Sequence, residues 1–98
     1  MIDDVAVEVT EEPTVPVKVV FFAKARELVN CDYKRLKLPK NSTYENIKKL
    51  LFQQHFPTLE VISSACILAV DHRYIKEDEN ITLCPSSEIA IIPPLSGG

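Results

Sequence analysis

Apolar residues recur along this chain with more than one period, and each period predicts an element. Val17-Lys18-Val19-Val20-Phe21-Phe22-Ala23 is β-branched and aromatic, apolar on nearly both faces, and reads as a strand. Tyr33-Lys34-Arg35-Leu36-Lys37-Leu38 alternates with period two, which predicts a second, half-exposed strand. Lys24 to Asp32 joins them, with room for a helical turn around Glu27 to Val29. After Pro39 the period changes. Tyr44, Ile47, Leu50 and Leu51 form one helical stripe, with Lys48, Lys49, Gln53 and Gln54 on the wet face. Ser42 followed by Glu45 has the capping-box spacing. Pro57 disfavours helical geometry at Phe56 and stops the element there.

Two further apolar runs close the pattern. Ile67-Leu68-Ala69-Val70 predicts a short buried strand leading into a turn at Asp71-His72-Arg73. Glu88-Ile89-Ala90-Ile91-Ile92 predicts a strand that Pro93-Pro94 ends, because proline cannot donate to a ladder. Tyr74-Ile75 and Ile81-Thr82-Leu83 read as short edge pieces. Strand, strand, helix, then strands is an α+β roll with one main helix on a mixed sheet. One helix covers one face of a sheet, yet the first and last strands are apolar on both. That surplus is either central-strand burial beneath a loop or a docking patch. Phe21, Phe22 and Ile91 are the candidate partner contacts.

Length and charge divide the chain. Its 98 residues suit one small domain. Residues 1–16 hold Asp3, Asp4, Glu8, Glu11 and Glu12 with no base, and end in Pro13 and Pro16. They read as an acidic, flexible extension. The domain proper is expected over 17–94, and 95–98 as a tail. The whole chain carries −3, so the body is near neutral. With no basic stripe or aromatic platform, nucleic acid is not an expected partner. No run of about 18 apolar residues could span a membrane, and the acidic start is neither a secretory signal nor a transit peptide. A soluble cytosolic protein is the expectation.

The usual reactive side chains offer little. Cys31, Cys66 and Cys84 are widely spaced, and neither His55 nor His72 stands at ligand spacing from a cysteine. No metal site is expected, and the thiols read as buried and inert. Asp71-His72 resembles half a catalytic pair, but neighbours in a strand or turn point apart. Lys48-Lys49 reads as a solvated helix face.

Glycine carries more information. A domain with this many turns would ordinarily hold about seven per cent; this chain has two, Gly97 and Gly98, both terminal. Turns fall instead to Asn30, Asp32, Asn41, Asp71 and Ser86-Ser87. The ending Pro93-Pro94-Leu95-Ser96-Gly97-Gly98 leaves straight from an apolar strand, and six residues reach at most about 20 Å. Lacking a Cβ, glycine can thread a narrow channel and leave a terminal carboxylate unhindered for attack. Gly98 is therefore the candidate reactive residue, and Gly97, Ser96, Leu95 and Pro94 the residues by which the tail would be recognised. The competing reading is a chain end of no consequence.

Val19-Val20-Phe21-Phe22-Ala23-Lys24-Ala25-Arg26-Glu27-Leu28 and the ending from Glu88 to Gly98 resemble the small, sulfur-carrier subunits of molybdopterin synthase. The resemblance covers residues 17–98. It implies a ubiquitin-like β-grasp fold, and an activating enzyme that uses ATP with Mg to adenylate Gly98. A sulfurtransferase would then convert Gly98 to a thiocarboxylate. It further implies insertion of the tail into a large synthase subunit, sulfur donation to cyclic pyranopterin monophosphate, and a heterotetramer of two small and two large subunits. No catalytic pocket or permanently bound cofactor is implied for the small subunit itself. Two other functions remain open. One is a ubiquitin-like carrier for thiamine or transfer-RNA thiolation, with or without conjugation to lysines; the other is an interaction domain. Bacterial members tend to have an Asn-Gly turn and a Gly-Asp-Glu before the last strand. Here Val70-Asp71-His72-Arg73 and Pro85-Ser86-Ser87-Glu88 stand in those places, which predicts different turn geometry.

Overall fold

The apolar run near the N-terminus forms strand β1, Thr14–Phe21, longer at its start than the sequence predicts. Val15, Val17, Val19 and Phe21 alternate into the core. The computed structural model describes residues 13–94. Within them the strand takes in Thr14, Val15 and Pro16, which the sequence assigns to the acidic extension, so the folded domain begins earlier than 17. Pro16 is tolerated for a specific reason. The Lys18 amide points toward the last strand, donating to Ser87 O (3.0 Å), and Pro16 has the same orientation. The ladder with the last strand begins only at Lys18, so the donor that Pro16 lacks faces no ladder partner.

Helix α1, Ala23–Val29, follows at once and buries Ala25. It ends on Asn30 in the left-handed conformation, whose amide returns to Arg26 O at 2.8 Å. Strands β2 (Tyr33–Pro39) and β3 (Asn41–Thr43) come next, then helix α2, Tyr44–Lys49. Its cap is Thr43 and not Ser42: Thr43 Oγ1 accepts from the Asn46 amide at 3.0 Å. Ser42 Oγ instead accepts from Asn46 Nδ2 at 2.7 Å.

From Leu50 to His55 the helix widens into π turns, with the Phe56 amide donating to Leu51 O at 2.8 Å. Leu51 and Phe52, seven and eight residues after Tyr44, face the core while Leu50 is only partly covered. Phe56 reaches Phe21, ring centroids 4.9 Å apart and nearly perpendicular. Pro57 ends this helix as expected, but Pro57–Ala65 continues in 3₁₀ turns that bury Leu59.

Strands β4 (Ile67–Val70), β5 (Arg73–Tyr74), β6 (Asn80–Thr82) and β7 (Glu88–Ile92) complete the chain. The main sheet has the order β2-β1-β7-β4-β5, and β3 pairs with β6 apart from it. β1 is parallel to β7 and antiparallel to β2, so the sheet is mixed. This is the β-grasp arrangement, with first and last strands side by side and α2 across one face. The core lies between that face and the helices, where Val19, Ile47, Leu51, Leu59, Leu68, Leu83, Ile89 and Ile91 are wholly enclosed. Each such large side chain contributes roughly 1.5–3 kcal/mol.

The two turns that stand where bacterial members tend to have glycine take positive φ angles. Asp71 (φ 51) and His72 (φ 71) have the positive angles of a type I′ hairpin turn, and Ser86 has φ 72. These positive backbone angles stand without glycine.

Candidate functional site

β7 lies in the middle of the main sheet, so its C-terminal end is flanked by strands on both sides. Parallel pairing carries β1 to the same end, where the Phe22 amide donates to Ile91 O at 3.4 Å. Antiparallel β4 begins there, with Ile67 opposite Ile92. The chain therefore leaves the fold between Phe22 and Ile67, over a buried Pro93 and an exposed Pro94. Among the described residues no ladder continues past Ile92, as a Pro-Pro ending dictates. Leu95, Ser96, Gly97 and Gly98 lie outside the described residues. What the structure defines is the point from which they depart.

Among the described residues no helix covers the side of the sheet facing away from α2. Outward positions run in register across it: Tyr33, Val20, Ala90, Ala69 and Tyr74 in one row, with Phe22, Ile92 and Ile67 in the row beside the exit. Phe22 is 46 % exposed, Ile67 41 % and Tyr74 66 %. A shallow groove of about 340 Å³ runs along this face between Phe22, Tyr74 and His72. Two of the three expected partner contacts are corrected. Phe21 and Ile91 are 2 % and 0 % exposed and belong to the core, leaving Phe22 at the surface. Successive strand residues point to opposite sides, and the sequence, apolar at both positions, did not say which side the helix covers. Tyr33, Ile67 and Tyr74 went unanticipated because strand order and register place them on this face.

Polar groups rim it. His72 Nε2 stands 3.5 Å from Glu88 Oε1, and Asp71 Oδ1 accepts from the Glu88 amide at 2.9 Å. Asp71-His72 is thus a turn pinned to β7 and not a catalytic pair. At the other end of the face, Lys18 and Arg35 both lie over the Tyr33 ring, 4.5 and 5.7 Å from its centroid.

The cysteines do not converge. Cys66 is buried, and desolvation raises its pKa against the opposing pull of the Lys48 ammonium. Cys31 is half-buried and Cys84 exposed, which corrects the expectation of three buried thiols. Lys48 is not simply solvated. Its ammonium lies 3.4 Å from Cys66 O and above the Tyr44 and Phe52 rings. Burial also raises the Tyr44 phenol. Among the described residues no three His, Cys, Asp or Glu side chains gather as a metal site would require. No helix among them is long and apolar enough to cross a membrane.

The described geometry presents a launch point and a face, and comparison with other proteins gives it context. The model of the ThiS family matches residues 19–98. The molybdopterin synthase sulfur carrier subunit of Caenorhabditis elegans is 37 % identical over 84 residues, covering 86 % of this chain and 99 % of the relative. Among solved structures, the small archaeal modifier protein 1 of Methanosarcina acetivorans superimposes with a TM-score of 0.68 at 24 % identity, over 88 % of this chain and 99 % of that one. A chain from the complex of subunits 1 and 2 of the Helicobacter pylori molybdopterin-converting factor gives 0.60 at 20 % identity, over 86 % and 100 %. These two likenesses speak for the fold.

Proposed function

This chain belongs to the ThiS family, and from that premise we propose that it is the sulfur-carrier subunit of molybdopterin synthase. The observation that carries the reading is the likeness to relatives of that name, beside a family match that spans residues 19–98. The C. elegans relative of that name is covered almost end to end. The chemistry follows from a terminal carboxylate. A carboxylate resists attack until its oxygen becomes a leaving group, so an activating enzyme uses ATP with Mg to form the Gly98 acyl-adenylate. A persulfide on a sulfurtransferase then displaces AMP to give an acyl disulfide. A thiol cleaves its S–S bond, forming a disulfide and freeing the Gly98 thiocarboxylate. Its sulfur passes to cyclic pyranopterin monophosphate, and water restores the Gly98 carboxylate. This chain supplies the acyl group and its presentation, and the pocket belongs to the large subunit.

The residues divide accordingly. Gly98 carries the sulfur; Gly97 and Ser96, with Leu95 and Pro94, form the thread that a channel would read. The apolar face beside the exit, with Phe22, Ile67, Ile92 and Tyr74, suits a large partner subunit, because a surface next to the tail sets where the tail enters. A complex of subunits 1 and 2 exists for the Helicobacter pylori protein of this fold. Two small and two large subunits are the assembly we propose here.

Intact mass spectrometry tests the carrier mechanism. Incubated with ATP, a cognate activating enzyme and a sulfur donor, the chain should gain the mass difference between sulfur and oxygen, and a Gly98 deletion should not. An unchanged mass with an enzyme shown active on its own carrier overturns the reading.

A further inference from the structure

The two edges of the main sheet are unlike. β5, on one side, is two residues long. β2, on the other, runs for seven residues and pairs only with β1 among the described residues. Register fixes which of its backbone groups are left over. The Phe21 amide donates to Asp32 O, and the Lys40 amide to Pro13 O, both at 2.9 Å. Every second pair of an antiparallel ladder exchanges hydrogen bonds, so Lys34, Leu36 and Leu38 are the residues of β2 bonded to β1. The N–H and C=O groups of Tyr33, Arg35 and Lys37 therefore point the other way, out from the edge. Their side chains take the open face, because they pair with Val20, Lys18 and Pro16. The intervening residues face the helix side, with Lys34 exposed, Leu36 half-buried and Leu38 buried.

We propose that β2 accepts an extended, acidic segment of a partner protein as an added strand along this edge. Main-chain bonds to Tyr33, Arg35 and Lys37 would hold it, and side chains would select it. Charge decides the selection. Lys34, Arg35 and Lys37, followed by Lys40, are exposed, and no acid interrupts them. Like charges directly opposite destabilise a strand pair, and opposite charges favour it. A second copy is a poor occupant for that reason. Two β2 strands paired antiparallel about Arg35 or Leu36 would set Arg35 against Arg35 or Lys37. The same bases favour Asp or Glu opposite Arg35 and Lys37 on the open face. Half-buried Leu36, on the other side, suits an apolar residue between those acids. The segment that fits alternates acidic and apolar residues. Exposed ion pairs are weak and screened by salt, so the contact is reversible. An added strand would lie three strand spacings, about 14 Å, from β7. It leaves the tail exit clear and does not depend on the sulfur chemistry.

The test titrates the full chain with a short synthetic peptide alternating Glu and Val, read by amide NMR and hydrogen exchange. At saturation, exchange at the Tyr33, Arg35 and Lys37 amides should slow by about tenfold or more. Lys34 and Leu36, already bonded to β1, should change little. Affinity should fall severalfold from low to high salt. A variant carrying Arg35→Glu and Lys37→Glu should lose the Glu peptide and take up one alternating Lys and Val. Both positions are exposed, so the fold should survive the change. Protection that is absent, or spread evenly along β2, overturns the proposal. Protection that rises with protein concentration before any peptide is added would place a second copy on the edge and equally overturn it. Neither ATP nor an activating enzyme is present, so this outcome is separate from that of the mass measurement on Gly98.

Discussion

Positive φ angles fall on five residues that carry a Cβ: Ala23, Asn30, Asp71, His72 and Ser86. Asn and Asp tolerate the left-handed region through local hydrogen bonding, which made Asn30 and Asp71 legible as turns from sequence. Ala23 and His72 carry no such signal, and it is the neighbouring strands and helix that hold them there. Glu79 is a second local device the sequence did not reveal. Its carboxylate accepts from the Lys76 amide at 2.7 Å and from Arg73 at 3.0 Å, bonds that hold its pKa below the usual carboxylate value. A depressed folded pKa stabilises the fold above the unfolded value, near about 4.3, and that stability is lost as pH falls through the folded one. Glu79→Gln should therefore lower the denaturant midpoint at neutral pH and match the wild type in strong acid. An equal gap at both pH values would show that the bonds do not depend on charge.

At the scale of elements, α2 shows how local signals and packing divide the work. Its start is encoded in polar side chains: Thr43 caps it, and Ser42 binds Asn46. Sequence placed that start within a residue but chose the wrong hydroxyl, because Ser42 and Thr43 are both competent caps and β3 decides which is in reach. Thr43→Ala should cost about 1 kcal/mol, seen as a lower denaturant midpoint with an unchanged slope. The far half was less legible. The buried stripe runs through Leu51 and Phe52 with Leu50 at its margin, and after the π turns Phe56 meets Phe21. The 3₁₀ run after Pro57 has no periodic signal to find. The start of β1 is equally hidden in the sequence, since Pro13 and Pro16 resemble breakers unless the neighbouring strand is known to start later.

At the scale of the whole molecule, asymmetry is the dominant feature: among the described residues, helices close one face of the sheet and leave the other open. Phe21 and Phe22, adjacent in sequence, test that division. Phe21→Ala should destabilise the domain by about 3–5 kcal/mol, as deletion of a buried aromatic does. Phe22→Ala should leave the thermal midpoint nearly unchanged while weakening large-subunit binding by about 5–30-fold, the range of an interface anchor worth 1–2 kcal/mol. Calorimetry and titration separate the two. Loss of stability without loss of binding in the Phe22 variant would place the interface elsewhere.

Sequence by itself determined the α+β class, the strands and main helix, and the diglycine ending, because period, proline placement and glycine usage are local properties of a chain. It also carried enough of a family pattern, from the Phe-Phe-Ala stretch to Gly98, to point to sulfur transfer. Tertiary structure decided the rest. Which of two apolar strand faces is core, which hydroxyl caps a helix, and which residues stand beside the tail exit all depend on strand order and register. Those arise from contacts between segments far apart in sequence, such as β1 beside β7 and Ile67 opposite Ile92.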